Sequence, residues 1–260
     1  MKKRTKILAT IGPASDSYEA IVSLINAGVN VFRLNFSHGT HEYHADVLSK
    51  IRKAMKQTGI IVGVLQDISG PKIRIGHLEH SFELDEGDEI TFHQDEIVGK
   101  KTSNTSYEVS INYPQILQQL NIGDYIYLYD GIIRTKVIDT AARGVKVLVE
   151  NHGLLSSKKG VNFPNTRLGV DVLTTKDRLD MAWGVANDVD YMAISFVQTA
   201  EDMIEARAIV NEHGGHQMLL AKIEKFEAID QIDDILPLCD GVMVARGDLG
   251  VEMPAEEVPL

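Results

Sequence analysis

Polar and charged side chains stand at the ends of the apolar, strand-like runs of this sequence. The residues at these ends are Arg33, Asn35, Ser37, His38, Asp67, Ser195, Phe196, Lys222, Glu224, Arg246, Gly247 and Asp248. In parallel α/β folds, functional groups cluster at the carboxyl ends of the strands. We therefore expect these side chains to lie on one rim, and their convergence is a stronger signal than any single motif.

Two carboxylates on this rim predict a divalent cation site. Glu224 and Asp248 follow neighbouring strands, and such a pair suits Mg²⁺ or Mn²⁺ with several bound waters. For an isolated pair, two solvated acids are an equally good interpretation. Lys222 favours the site, because residues 222 and 224 share one face of a strand and a buried lysine needs an anion. The segment ARGDLG adds a predicted helix start, whose free N–H groups favour a carboxylate or phosphate.

Other motifs carry less chemistry. His38, His41 and His44 have three-residue spacing, but they do not form H-E-x-x-H, and a solvated helix start explains them better. The sequence has neither a P-loop nor a G-x-G-x-x-G fingerprint. The basic turn SSKKG, residues 156–160, is by itself most simply a solvated loop.

The elements that must position these residues alternate between strand and helix up to Asp67. The run SDSYEAIVSLINAG predicts a helix with Ser15 or Asp16 as N-cap and Gly28 as C-cap. The resulting β-α-β-α-β order implies a parallel sheet. From Lys72 to about Asn165, short alternating strands with turn signals predict a small barrel or sandwich instead.

The α/β pattern then resumes. Two capping-box patterns, Thr174 with Asp177 and Thr199 with Asp202, predict helix starts between further strands. Six strands of the βα type result, whereas a closed β/α barrel has eight. The sequence therefore predicts either an open sheet or part of a longer protein.

The bulk composition narrows the class of function. The 260 residues carry a net charge of −11 and a single cysteine, Cys239. This charge disfavours nucleic acid or an anionic membrane as partner, and the lone cysteine favours a reducing compartment. No signal peptide or transmembrane run is found in the sequence, so we expect a soluble cytoplasmic protein.

Seven segments resemble pyruvate kinases, in the order in which that family has them. They are TKILATIGPAS, VFRLNFSHG, GPKIR, SSKKGVNFP, AISFV, AKIE and DGVMVARGDLGVEMPAEEV. The resemblance implies an α/β fold: an incomplete TIM (β/α) barrel with six of eight strands, carrying an inserted small all-β barrel domain. The implied barrel domain covers residues 1–70 and 166–260, and the inserted lid domain covers 71–165.

The resemblance implies transfer of phosphate from phosphoenolpyruvate to ADP, giving pyruvate and ATP. Lys222 would be the transition-state stabiliser, Arg33 would bind the phosphate, and the backbone at Gly247 and Asp248 would bind the substrate carboxylate. The remaining implied roles belong to Glu224 and Asp248 as Mg²⁺ or Mn²⁺ ligands, Arg74, Lys159 and His38 as nucleotide contacts, and Asn35, Ser37, Asp67 and Ile68 as monovalent-cation ligands. The resemblance also implies that a full-length protein would be a homo-oligomer, namely a tetramer.

Lys72 departs from the family pattern, in which many members have Gly-Pro-Glu-Ile-Arg where this chain has Gly-Pro-Lys-Ile-Arg. We expect its ammonium to replace K⁺. Two like charges at about 4 Å cost roughly 4 kcal/mol near a protein surface, so a lysine opposes a second cation. A surface lysine without a role is the alternative.

The chain ends before the last two barrel strands and the C-terminal domain that the resemblance implies. We therefore expect little or no kinase activity from residues 1–260 alone. Two alternatives stay open: a Mg²⁺-dependent lyase or aldolase acting on a pyruvate enolate, and a non-catalytic fragment that binds nucleotide.

Overall fold

The computed structural model describes residues 4–141, 144–164, 166–167, 169–254 and 256–259. Its contacts divide the chain into two compact units, each described by itself below. The first unit comprises the described part of Met1–Gly70, together with Val172–Ile223 and Gln231–Val244. The second comprises Pro71–Asp171, Glu224–Asp230 and Ala245–Leu260, again over the described residues.

The strands and helices have the following bounds along the chain. The strands are β1 (Leu8–Thr10), β2 (Val31–Asn35), β3 (Gly63–Asp67), β4 (Phe82–Leu84), β5 (Glu89–His93), β6 (Lys100–Lys101), β7 (Ser106–Ser110), β8 (Tyr125–Leu128), β9 (Ile133–Ala141), β10 (Gly144–Val149), β11 (Gly153–Leu155), β12 (Val161–Asn162), β13 (Tyr191–Ile194), β14 (Met218–Ile223) and β15 (Gly241–Val244). The α-helices are α1 (Tyr18–Ala27), α2 (His41–Thr58), α3 (Thr175–Ala186), α4 (Ala200–Glu212), α5 (Phe226–Asp230), α6 (Ile232–Ile235) and α7 (Arg246–Glu252), and 3₁₀ helices cover Pro114–Gln119 and Leu236–Leu238.

The first unit is built on a parallel sheet with the order β1-β2-β3-β13-β14-β15. The sheet is a curled half-barrel, as expected for an incomplete (β/α) barrel. Helices connect successive strands and bury apolar stripes; Val47, Ile51 and Ala54 of α2 are among the buried residues. All strands of the sheet run the same way, so their carboxyl ends lie along one edge, as the sequence predicted.

Local chemistry sets the helix ends. Gly28 is the C-cap of α1 with φ 103°, a left-handed conformation that favours glycine. The predicted N-cap of this helix, Ser15 or Asp16, was wrong: Ser17 caps it, and its side chain accepts a hydrogen bond from the Ala20 N–H. Serine and aspartate are both favourable N-cap residues, so the sequence alone could not decide which of Ser15, Asp16 and Ser17 caps the helix.

The two predicted capping boxes are both present. In α3, the Thr174 side chain accepts from the Asp177 N–H while the Asp177 carboxylate accepts from the Thr174 N–H. In α4, the Asp202 carboxylate accepts from the Thr199 N–H at 2.8 Å. These boxes fix where each helix begins and hence where the preceding loop leaves the rim.

The second unit is mostly β structure. A seven-stranded sheet has the order β12-β8-β9-β10-β5-β7-β6, and β4 pairs separately with β11. Isolated β-bridges pair Arg74 with Gly160, next to β12, and Ile75 with Ile111, next to β7. Residues 74 and 75 thus connect two separate strands of this sheet around the core. Phe92, Ile126 and Val147 are fully buried in that core, which alternating strand patterns produce.

The limits of β14 and of the predicted domains bear on the candidate site. The strand predicted to include Glu224 ends at Ile223, so Glu224 follows β14 rather than belonging to it. The predicted domain limits, 1–70 with 166–260 and 71–165, stay a prediction, and Asn165 lies outside the described residues. None of the helices in the described ranges is both long enough and apolar enough to cross a bilayer.

Candidate active site

Two cationic side chains pair with one buried carboxylate at the carboxyl ends of the strands in the first unit's sheet. Asp67 ends β3 and is 1% exposed. From neighbouring β2, the Arg33 Nε and Nη2 atoms each lie 2.5 Å from Asp67 Oδ2. Lys222 Nζ, on β14, lies 3.1 Å from Asp67 Oδ1. One negative charge therefore holds two positive groups in place, and buried charges require such pairing.

The hydroxyl of Ser195 is a second anchor for Lys222. Ser195 Oγ accepts a hydrogen bond from Lys222 Nζ at 2.7 Å and donates one to the Ile68 carbonyl at 2.5 Å. The next residue, Phe196, has φ 58°, an uncommon value for a side chain of this size. This turn after β13 aims the serine at the ammonium, which restricts where the ammonium can point.

The predicted monovalent-cation ligands lie in the first unit, around the end of β3. Asn35 is paired with Asp67 in the parallel register of β2 and β3. The Asn35 side-chain oxygen accepts from the Ser37 N–H at 3.0 Å. Asp67, the Ile68 carbonyl and the Asn35 oxygen thus each accept a hydrogen bond or ion pair from within the chain.

The histidine segment is more buried than the sequence suggested. The predicted solvated helix start is wrong for His44, which is 3% exposed and stacks on Phe36 with ring centroids 4.0 Å apart. Burial is the main cause that lowers the pKa of His44 below its usual value. His41 pairs with Asp180 at 2.7 Å, whereas His38 is exposed. Over the described ranges, no group of three or more histidine, cysteine or acidic side chains suits a metal.

The second unit contains the two predicted divalent-cation ligands. The Glu224 residue is 1% exposed, and Asp248 lies exposed in the first turn of α7. Beside them in sequence, Lys225 Nζ lies 2.8 Å from Glu252 Oε1, with both side chains almost fully buried. The predicted substrate-carboxylate residue Gly247 is exposed in the same turn as Asp248.

Glu227 is a buried acid that the sequence did not single out. It is 4% exposed, and neither carboxylate oxygen has a hydrogen-bond partner among the described residues. Burial raises the pKa of Glu227, and the Lys225 charge opposes this only partly. A buried carboxyl of this kind favours its neutral form.

The predicted nucleotide contacts Arg74 and Lys159 lie close together in the second unit. Arg74 bridges to Gly160, and its Nη1 atom donates to the Lys158 carbonyl at 3.3 Å. Lys159 Nζ lies 3.6 Å from the centre of the Tyr129 ring. Asn112 fixes the segment that precedes them, accepting from the Arg74 N–H and donating to the Lys72 carbonyl.

Comparisons with known proteins agree with this architecture over the whole chain. The sequence profile of the family described as "Pyruvate kinase, barrel domain" matches residues 2–260. The chain belongs to the pyruvate kinase family. Pyruvate kinase from Geobacillus stearothermophilus is 44% identical, over 100% of this chain and 44% of that protein. Pyruvate kinase from Staphylococcus aureus strain MRSA252 is 43% identical, over 99% of this chain and 44% of that protein. The chain thus spans less than half the length of these relatives.

The candidate residues of the chain divide between its two units. Those in the first are Arg33, Asn35, Ser37, His38, Asp67, Ile68 and Lys222, and those in the second are Lys72, Arg74, Lys159, Glu224, Gly247 and Asp248. The structure brings Arg33, Asp67 and Lys222 into direct contact, and Arg74 next to the Lys158–Gly160 turn. Within the described part of the first unit, no hydrogen bond or ion pair joins the His38 side chain to Arg33, Asp67 or Lys222.

Sequence reasoning missed several residues that organise these groups. Ser195 was noted only as the end of a strand, although it bonds to Lys222. Asp177 was read as a helix cap, but its Oδ1 atom also accepts from the Gly70 N–H at 3.1 Å. The available signal for Ser195 was a serine directly after a buried strand. No local signal marks the contact of Asp177 with Gly70.

Proposed function

We propose that this chain carries the phosphoenolpyruvate and nucleotide sites of a pyruvate kinase. The observation that carries the proposal is the pairing of Arg33 and Lys222 with the single buried carboxylate of Asp67. Arg33 and Lys222 thus place two cationic groups beside Asp67 at the carboxyl ends of parallel strands. Such a site suits a phosphorylated acid, since phosphoryl transfer depends on positioning and charge neutralisation.

In the proposed reaction, the bond between phosphorus and the enolate oxygen of phosphoenolpyruvate breaks, and an oxygen of the ADP β-phosphate bonds to the phosphorus. Arg33 binds phosphate oxygens of the substrate. Lys222 stabilises the charge that develops on the transferring group and on the enolate. The backbone N–H groups at Gly247 and Asp248 bind the substrate carboxylate, and a proton delivered to the enolate carbon then gives pyruvate.

The two acids of the second unit fit a divalent cation. Carboxylate oxygens are hard ligands, and Mg²⁺ typically uses one or two of them together with substrate and water oxygens. In the proposed site, Glu224 and Asp248 would hold Mg²⁺ or Mn²⁺ as a pair. When bound, the cation would supply charge neutralisation; the chain's own role would be to hold the two carboxylates.

The nucleotide would bind the second unit through Arg74 and Lys159; the nucleotide role of His38, a residue of the first unit, stays a prediction. Arg74 donates to the Lys158 carbonyl, so its guanidinium lies beside the turn that carries Lys159. ADP and ATP are the implied nucleotides, and phosphoenolpyruvate and pyruvate the implied acids. A cytoplasmic location and homo-oligomeric, tetrameric assembly of a longer protein belong to the same proposal, with neither nucleic acid nor membrane as partner.

The proposed enzyme does not need K⁺, because Lys72 supplies a fixed positive charge. Support comes from the predicted ligand atoms of Asn35, Asp67 and Ile68, which already accept hydrogen bonds or ion pairs from the chain. The test compares phosphoenolpyruvate binding in K⁺ with binding in tetramethylammonium. The wild-type chain should bind equally in both, whereas Lys72→Glu should bind tighter in K⁺. A many-fold loss of wild-type affinity without K⁺ would contradict the idea.

Calorimetry tests the proposed function directly. The 260-residue chain is titrated with phosphoenolpyruvate and with ADP, each with and without Mg²⁺. We expect Mg²⁺-dependent phosphoenolpyruvate binding that falls at least tenfold in Lys222→Gln, while Lys50→Gln, a substitution on the surface of α2, leaves it unchanged. An assay of pyruvate release measures turnover, for which we predict little or no activity in residues 1–260 alone.

The outcomes separate the proposal from its alternatives. Carbon–carbon bond cleavage or formation through a pyruvate enolate, without any nucleotide dependence, would favour a lyase or aldolase. Binding of ADP with no phosphoenolpyruvate binding at millimolar concentration would favour a non-catalytic nucleotide-binding chain. Either result would overturn the phosphoenolpyruvate site.

A further inference from the structure

Tyr129 and Lys159 form the closest cation–ring contact in the described part of the chain. Lys159 Nζ lies 3.6 Å from the ring centre, whereas the other four such contacts have distances between 4.5 and 5.8 Å. At this distance, the ammonium is attracted by the negative face of the ring. The contact lies wholly within the second unit.

The backbone around this pair has uncommon conformations. Tyr129 and Asp130 have φ values of 53° and 56°, and Lys158 has a φ of 63°. Residues other than glycine rarely adopt positive φ, and they keep it only where the surrounding structure demands it. The two turns are therefore held in these conformations by their neighbours.

The two turns are also fitted to one another. The Tyr129 N–H donates to the Gly160 carbonyl at 2.8 Å. A Cβ atom at Gly160 would lie only 2.8 Å from Asp130 Oδ1, so a larger residue there would force the Asp130 side chain to move. This close approach places the Tyr129 ring against the side chain of Lys159.

We propose that Tyr129 positions Lys159 for the phosphate groups of a nucleoside diphosphate, and so sets nucleotide affinity. This inference rests on the proposed nucleotide role of Lys159. A free lysine loses rotamer freedom when it binds a phosphate. The Tyr129 ring restricts the lysine beforehand and covers one side of the ammonium, which leaves its other N–H groups available to phosphate oxygens.

The test is a double-mutant cycle on ADP binding, measured by calorimetry with the 260-residue chain in Mg²⁺. Tyr129→Leu should weaken ADP binding by about two- to fivefold, the size expected from an exposed cation–ring contact. Tyr129→Phe, which keeps the ring, should bind like wild type. In a Lys159→Gln background, Tyr129→Leu should have no further effect, since a merely structural change would persist there.

Tyr125→Leu is the matched control, because Tyr125 also carries a cation, Lys136, at 5.5 Å on the neighbouring strand. It should leave ADP affinity unchanged. NMR of the free chain supplies a readout without nucleotide: the Lys159 ε-methylene protons should be shifted upfield by the ring, and Tyr129→Leu should remove the shift.

The results distinguish this inference from the proposed function. If wild type binds ADP and Tyr129→Leu binds it equally well, the inference is wrong and the proposed function stands. An equal loss in Tyr129→Leu and Tyr125→Leu would also overturn it, as would a loss that persists without Lys159. If wild type fails to bind ADP, the nucleotide role of Lys159 is wrong, and the inference falls with it.

Discussion

At the residue scale, Ser195 shows how one hydroxyl can orient a catalytic candidate. Its oxygen accepts from Lys222 while its proton goes to the Ile68 carbonyl, so its orientation is fixed at both ends. Because hydrogen bonds to charged groups contribute about 1.5–3 kcal/mol, Ser195→Ala should weaken phosphoenolpyruvate binding by roughly 10- to 100-fold. Calorimetry checks this, with the exposed Ser49→Ala on α2 as control. An affinity within about twofold of wild type would show that Lys222 needs no such anchor.

Glu227 leads to a prediction about pH. Its folded pKa is raised above the ordinary value of 4.5, chiefly by burial, so the folded state holds the proton to higher pH than the unfolded state. Stability from this group is fully present below pH 4.5 and is lost as pH rises through the folded pKa.

Glu227→Gln should therefore raise the melting temperature at neutral pH, by about 2–4 °C for each kcal/mol gained, and the gain should shrink towards pH 4.5. Thermal unfolding between pH 4.5 and 8 measures this. Glu212→Gln, at an exposed site at the end of α4, should show no such trend. A destabilised Glu227→Gln at pH 8 would mean that the ionised carboxylate has a stabilising partner.

At the scale of elements, the first turn of α3 also holds the chain at Gly70, which is the last residue of the first segment of the first unit. Asp177 accepts from the Thr174 N–H within its capping box and from Gly70, whose φ is 66°. A Cβ atom at Gly70 would lie 2.6 Å from the Phe196 ring, so glycine is needed at this position. One buried carboxylate thus joins a helix start to a tight turn.

Asp177→Ala should lower the free energy of unfolding by about 2–4 kcal/mol, since it removes a cap and leaves a buried N–H without an acceptor. Asp202→Ala is the matched control, because Asp202 is the equivalent capping residue of α4. Its carboxylate accepts from the Gln198 and Thr199 N–H groups at the start of its own helix. This substitution should cost about 1 kcal/mol. Urea denaturation followed by Trp183 fluorescence compares them, and equal losses would show that the Gly70 contact adds nothing.

At the scale of the whole molecule, each compact unit has its own hydrophobic core, and separate cores can unfold separately. The only tryptophan, Trp183, lies on α3 in the first unit, so its fluorescence reports that unit alone. Phe92→Ala removes a fully buried ring from β5 in the second unit and should cost that unit about 3–5 kcal/mol.

We expect Phe92→Ala to lower the unfolding midpoint seen by circular dichroism while the Trp183 midpoint stays unchanged. Phe32→Ala, at a fully buried position of β2, is the converse control and should shift the Trp183 midpoint. If Phe92→Ala shifts both probes equally, the two units unfold as one cooperative structure.

Much of the fold could be predicted because its signals are local. Period-two strands, the caps at Thr174 and Gly28, and the order of the seven family segments all lie within short stretches of sequence. They were sufficient for the parallel order of the six strands and for membership of the pyruvate kinase family. The N-cap of α1 was missed by one or two residues, because Ser15, Asp16 and Ser17 offer the same capping chemistry.

By itself, the sequence determined which residue types stand at the strand ends. Only the tertiary structure decided how they pair: Lys222 on Asp67 and Ser195, Gly70 on Asp177, and Lys159 on Tyr129. It also decided that Glu227 and His44 are buried. The physical reason is range, since propensity and periodicity act over a few residues, whereas pairing and burial depend on which distant segments pack together.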